Sequence, residues 1–215
     1  MTKKEKAAAL VAALEQEYPD AICSLDYEQP YQLLISVRLA AQCTDARVNQ
    51  VTPILFKAYP TLESLAEANV ADVAEIVRPC GLGNTKAQDI VAMCQMLLTQ
   101  YGGVVPDTME ELLKLPGVGR KTANLILGDV YGKPAVVCDT HCIRITNLMG
   151  LTTSKNPLQV EKQLRAILDP EKSNDFCHRL VLHGRAVCKA RNPQCHICCC
   201  NQLCSYGKKA VSASK

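Results

Sequence analysis

The sequence predicts an all-α protein. Three observations carry that prediction. Apolar residues recur at helical spacing through nearly every segment, those segments are bracketed by capping or breaking residues, and no run alternates apolar and polar with the period of a strand. The one short apolar run with strand character, Val136-Val137-Cys138, has no obvious partner. With 48% hydrophobic and 21% charged residues over 215 positions, the chain has material for a real core, which excludes disorder, collagen and coiled coil. No apolar stretch approaches the ~18 residues that a membrane helix needs.

Each element has its own reason. Ala7, Leu10, Val11, Leu14 and Tyr18 share one helical face, and Pro19 ends the run. Lys3, Lys4 and Lys6 before that apolar stretch faintly resemble a signal peptide. The stretch is short and runs at once into Glu15 and Glu17, so it reads as an amphipathic helix of a cytosolic protein. Pro30 suits a first turn ahead of Leu33, Leu34, Val37 and Ala40-Ala41. A helix from Asp45 meets Pro53, which should kink or restart it. Asn69 caps a short helix stopping near Cys80-Gly81, and Asn84 or Thr85 caps a longer one closed by Gly102-Gly103. Thr108 and Glu111 form a capping box. A helix from Arg120 runs to Gly132, Asn156-Pro157 opens another reaching Leu168, and Ser173 caps the last, ending near Cys188.

The net charge of +3 is unevenly spread. Six of the 24 Lys and Arg residues (Arg185, Lys189, Arg191, Lys208, Lys209, Lys215) lie from Gly184 onward with no acid among them, so the remaining 18 face all 21 acids. A basic end on a near-neutral body suits an anionic partner, nucleic acid first, or a merely solvated tail. Cysteine is the most unusual count. Thirteen is odd, and without a secretory signal it favours metal binding and buried thiols over a disulfide scaffold.

Three constellations carry chemistry. The first is Leu115-Pro116-Gly117-Val118-Gly119-Arg120-Lys121-Thr122-Ala123, between two helical patterns. Two glycines around one apolar residue allow a tight turn with positive φ, and such a turn aims backbone N–H groups outward where the next helix starts. That arrangement binds phosphate without a side-chain charge. Val118 is expected to pin the turn to the core. The string matches a helix-hairpin-helix module, which grips the DNA backbone through Gly117, Val118, Gly119 and Arg120 without reading sequence.

The second is Lys121 with Asp139. An ordinary lysine, with a pKa near ~10.4, is unprotonated about once in 2,500 at neutral pH. A nucleophilic lysine therefore needs surroundings that disfavour ammonium, such as a helix N-terminus and a desolvated cleft. Asp139 follows an apolar run and precedes a helical pattern, where a carboxylate commonly caps. Taken separately, the two residues read as a phosphate contact and a plain cap.

The third is Cys188-x6-Cys195-x2-Cys198-x5-Cys204. Four thiols at loop-compatible spacings can close on one centre, and zinc or an iron–sulfur cluster would accept them equally. Cys199 and Cys200 directly follow Cys198 and are expected to face away. Lys189 and Arg191 lie between the first two thiols, in a basic loop that the metal would hold.

Together these features resemble the endonuclease III family of DNA glycosylases. The resemblance extends to Leu39-Ala40-Ala41-Gln42-Cys43-Thr44-Asp45, Gly81-Leu82-Gly83-Asn84-Thr85-Lys86, Asp139-Thr140-His141 and His183-Gly184-Arg185. It implies two all-α parts with DNA in the cleft between them. One is a six-helix barrel domain with the helix-hairpin-helix, at 22–133. The other is a helical cluster domain, at 1–21 and 134–215. It implies a 4Fe-4S cluster on Cys188, Cys195, Cys198 and Cys204. It makes Lys121 the nucleophile and Asp139 the catalytic carboxylate, and it makes Gln42 and Leu82 the residues that wedge into the duplex. The activity implied is a bifunctional glycosylase and abasic-site lyase of base excision repair, acting on oxidised pyrimidines in double-stranded DNA. The protein would be a cytoplasmic, nucleoid-associated monomer without membrane attachment. The alternative is a monofunctional mismatch glycosylase or a non-catalytic DNA-binding relative. Lys121, and a chain that stops soon after Cys204, argue against the mismatch glycosylase, and borohydride trapping would separate the enzyme from a pure binder.

Overall fold

The computed structural model describes residues 1–212, and Lys215 of the basic terminus lies outside them. Among the described residues there are twelve α-helices and no strand, as the periodicity predicts. Val136 to Cys138 is a buried segment without regular secondary structure. No helix is long and apolar enough to cross a membrane. The chain divides into two compact units, one of residues 23–131 and one of 1–22 with the chain from Gly132 onward.

The 23–131 unit holds α2 (Pro30–Leu39), α3 (Asp45–Ala58), α4 (Leu62–Ala66), α5 (Val70–Val77), α6 (Gly83–Tyr101), the single turn α7 (Met109–Leu112) and α8 (Arg120–Asp129). α6 is its axis and packs against α2, α4 and α5, while α8 packs against α2 and α7. Ile90, Met93, Cys94 and Leu97 of α6 are fully buried there. α3 runs unbroken through Pro53. The proline lies on the exposed face, and Val48, Val51, Thr52 and Leu55 hold the turns on either side of it to the core. α6 begins at Gly83, ahead of the expected caps Asn84 and Thr85, because Leu82 enters the helix in a left-handed conformation. Thr108 caps α7, but the capping box is not closed. The Glu111 carboxylate instead accepts from the Tyr101 hydroxyl at 2.8 Å and the Lys114 ammonium at 2.7 Å.

The second unit holds α1 (Lys3–Glu17), α9 (Thr140–Met149), α10 (Pro157–Arg165), α11 (Ser173–Ala186) and α12 (Ser205–Ser212). α11 packs against α1 and α9, and α12 packs against α9. α1 buries Ala7, Leu10, Val11 and Leu14, the stripe its spacing predicts. α10 stops short of Leu168, and Ser173 is the first residue of α11 rather than its cap, bonding back to the Pro170 carbonyl.

Candidate functional site

The hairpin joins α7 to α8. Its anchor is Leu115, 2% exposed, whose carbonyl accepts from the Val118 N–H at 3.1 Å. Val118 itself is only half-buried, so the anchoring expected of it belongs to Leu115. The two glycines have different reasons. Gly117 has φ +72°, and a Cβ there would lie 2.8 Å from Cδ and Nε of Arg38 and 3.0 Å from the Asp89 Cβ. Arg38 and Asp89 pair at 2.7 Å and brace the turn from behind. Gly119 is the N-cap of α8 in an extended conformation, φ −100° and ψ 176°, where a Cβ would meet nothing within 4 Å. The fold does not demand the second glycine. It leaves the backbone bare where the first-turn N–H groups of α8 lack helical partners. Arg120 and Lys121 are exposed on that turn. Lys121 thus has the helix N-terminus that sequence reasoning called for, but not the burial.

Asp139 belongs to the other unit. It ends the irregular segment after Gly132 and caps α9, its Oδ1 accepting from the Cys142 N–H at 2.7 Å. That bond fixes the carboxylate against the helix start.

Three non-glycine residues among those described have positive φ: Gln42 (+59°), Leu82 (+52°) and Asn192 (+54°). Such conformations cost energy and persist where surroundings over-determine them, often at functional sites. All three are exposed, and they sit in three of the four segments that the sequence marked for DNA contact. Asn192 shapes the loop carrying Lys189 and Arg191, both exposed, which the Gln194 N–H closes onto the Val187 carbonyl at 3.0 Å.

Cys188, Cys195, Cys198 and Cys204 line one concavity in the second unit, together with Ile145, Met149 and Tyr206. Burial pushes the Cys188 and Cys195 thiols up, so thiolates there call for a compensating cation. Donors to sulfur are already in place. Arg144 reaches the Cys188 sulfur at 3.7 Å while bonding its carbonyl at 2.7 Å, and the Gly207 N–H reaches the Cys204 sulfur at 3.4 Å. The donor set therefore fits a soft metal centre. Cys199 is exposed, with its sulfur 3.7 Å from that of Cys200, and Cys200 is fully buried and lines the same concavity, against the expectation that it faces away. Donor atoms of His183, Cys198 and Cys200 lie within 4.8 Å of one another. His183 Nε2 is 3.3 Å from the Cys198 sulfur, and its Nδ1 is 3.1 Å from the Tyr18 hydroxyl.

Sequence reasoning missed the Arg38–Asp89 brace, Arg144 and the Tyr18–His183 pair, because each joins residues whose partners are set by tertiary packing. His183-Gly184 did carry a signal. A Cβ at Gly184 would come 2.2 Å from His141 Nδ1, so the glycine is what lets α9 lie against α11.

Residues 35–170 match the HhH-GPD superfamily base excision DNA repair protein family. The chain is 42% identical to endonuclease III of Synechocystis sp. over 94% of its length and 93% of that protein. It is 38% identical to endonuclease III of Escherichia coli, over 96% of this chain and 98% of the other. It also superimposes on a solved structure of a trapped endonuclease III–DNA covalent intermediate with a TM-score of 0.91 at 40% identity, covering 98% of this chain and all of that one.

Proposed function

Because this chain belongs to the HhH-GPD superfamily of base excision DNA repair proteins, and within it to the endonuclease III family, we propose that it is a bifunctional DNA glycosylase and abasic-site lyase that removes oxidised pyrimidines from double-stranded DNA. The observation that carries this reading is Lys121 on the first turn of α8, directly after the bare-backbone hairpin.

The roles follow from position. Backbone N–H groups of Gly117, Val118 and Gly119, with Arg120 beside them, hold a phosphate without reading bases. The damaged nucleotide leaves the stack, which costs least when it already stacks poorly. Gln42 and Leu82 fill the space it vacates. The Lys121 amine forms a bond to the sugar C1′ as the base departs, and the Asp139 carboxylate stabilises the positive charge that builds on the sugar. The C1′–O4′ bond then breaks, opening the sugar ring with O4′ protonated, and the Schiff base so formed acidifies C2′. Loss of that proton expels the 3′ oxygen by β-elimination and cuts the strand.

The 23–131 unit is the barrel domain and the other the cluster domain. Cys188, Cys195, Cys198 and Cys204 would hold a 4Fe-4S cluster. When bound it supplies a four-point cross-link for a segment without regular secondary structure, and it holds Lys189 and Arg191 toward phosphates. The enzyme acts as a monomer, in the cytoplasm at the nucleoid.

Borohydride reduction tests the chemistry. The protein should become covalently linked to a duplex carrying a damaged pyrimidine. Lys121→Gln should still bind the duplex but neither release base nor trap. A variant that loses binding as far as it loses turnover would make Lys121 a phosphate contact instead.

A further inference from the structure

Lys86 is the largest fully buried side chain among the described residues, at 0% exposure. A buried ammonium is costly unless its protons are taken up. Here Nζ donates to the Leu39 carbonyl at 2.8 Å and to the Cys80 carbonyl at 2.8 Å. These carbonyls are the last of α2 and of the 3₁₀ turn Arg78–Cys80. Both are helix-end carbonyls of the kind left without a backbone donor, at the negative pole of their elements. Three residues beyond Leu39 stands Gln42, and two beyond Cys80 stands Leu82. Both are exposed, and both are held left-handed.

One buried cation thus ties together the roots of two strained, exposed loops. A left-handed Leu is a conformation the chain leaves unless something holds it. The loop backbones add little. The Cys43 N–H bonds within its own loop to Ala40, and the Gly81 N–H within its own to Arg78. The Cys43 and Cys80 thiols also meet across the two loops, and Lys86 is the group that bonds the backbone of both roots.

We propose that Lys86 is a positioning residue that presents Gln42 and Leu82 together for insertion into the duplex. This rests on the reading of those two residues as the wedge. Lys86 touches neither the substrate nor the reacting atoms. Its part is to make the two loops one rigid element, so that the space vacated by the extruded nucleotide is filled in a single step.

The test is a thermodynamic cycle on the full protein. The probe is a duplex with a reduced abasic site opposite 2-aminopurine, whose fluorescence rises as the orphan base unstacks. Leu82→Ala, Lys86→Met and the double variant are compared at saturating protein. Leu82→Ala should suppress the rise. Lys86→Met should do the same and, on a separate duplex carrying a damaged pyrimidine, should slow single-turnover base release by roughly ten- to a hundredfold, the span that stranding a buried polar group covers. The double variant should fall no further than the worse single. Affinity for undamaged duplex should not change, whereas general loosening of the fold would weaken it too.

Additive losses would overturn the role of Lys86 while leaving the wedge reading intact. A full fluorescence rise in Leu82→Ala would overturn the wedge reading and this proposal with it. If Lys86→Met does not fold, native-state hydrogen exchange on the unaltered protein decides. Amides of 40–44 and 81–83 should open as one unit, and protection factors differing by more than about tenfold between the two segments would refute the coupling.

Discussion

Replacing each hairpin glycine by alanine separates what the fold needs from what DNA needs. At Gly117 the added Cβ meets two obstacles. An L-residue held at φ +72° costs about 1–2 kcal/mol relative to glycine. The methyl also falls 2.8 Å from Cδ and Nε of Arg38, so the guanidinium must withdraw from Asp89. That pair is only 16% and 26% exposed, and disrupting it adds on the order of 1 kcal/mol. The total of about 2–3 kcal/mol corresponds to a melting-temperature drop of roughly 4–12 °C for a chain of this size. At Gly119 the same methyl enters open space in an extended conformation, and the cost is only that of alanine for glycine at an N-cap, about 0.5–1 kcal/mol. Its effect should fall on duplex binding instead, weakened about tenfold or more as the methyl holds a phosphate oxygen away from the α8 N–H groups. Thermal unfolding beside a duplex titration measures both. Equal destabilisation by the two variants, or unchanged duplex affinity in Gly119→Ala, would refute the division.

Two further outcomes are expected of the thiol unit. Cys188→Ser and Cys204→Ser should yield colourless, poorly soluble protein, and Cys199→Ser should stay brown, since the four spaced thiols close the site without it. Cys200→Ser should also keep its iron. Loss of iron there with retention in Cys204→Ser, read from visible absorbance and iron content, would reassign the fourth ligand to the buried thiol beside His183. Neutralising Lys189 and Arg191 together should weaken damaged and undamaged duplexes alike. It should also flatten the log–log salt dependence by up to roughly 0.9 per lost phosphate contact, with iron content and single-turnover rate preserved. An unchanged slope at full iron content would remove these residues from the interface.

What could be read in the sequence follows how local its cause is. Helices whose apolar stripe and cap lie within a few residues, such as α1, α2 and α5, fall where the pattern places them. Asn69 accepts from the Ala71 N–H as its position implies. Errors arise where a distant partner decides. Pro53 leaves α3 intact because four buried side chains hold both of its halves. Glu111 abandons its box because Tyr101 and Lys114 offer charged and hydroxyl donors. Leu82 displaces the expected caps of α6 through a backbone conformation that its side chain does not advertise. The same rule governs the site. Gly117, Lys121 and the cysteine spacing are one-dimensional signals. The Arg38–Asp89 brace spans 51 residues, and the Lys86 bond to Leu39 spans 47.

This distribution has a chemical consequence. The groups expected to meet DNA are mostly backbone, or side chains on strained backbone: the bare N–H groups at the start of α8, left-handed Gln42 and Leu82, and the loop turned by Asn192. Backbone groups lose little entropy on binding when secondary structure already fixes them, and they cannot be tuned one at a time by side-chain substitution. Sequence-independent grip suits a protein that must inspect any duplex, and it leaves few side chains to do chemistry. Lys121 and Asp139 each stand at the start of a helix, the one beside a bare glycine cap and the other itself the cap. Their placement is therefore inherited from helix geometry rather than from a dedicated network. Changing either side chain should cost turnover far more than affinity, whereas changing the glycines and the buried supports behind them should cost affinity or fold first.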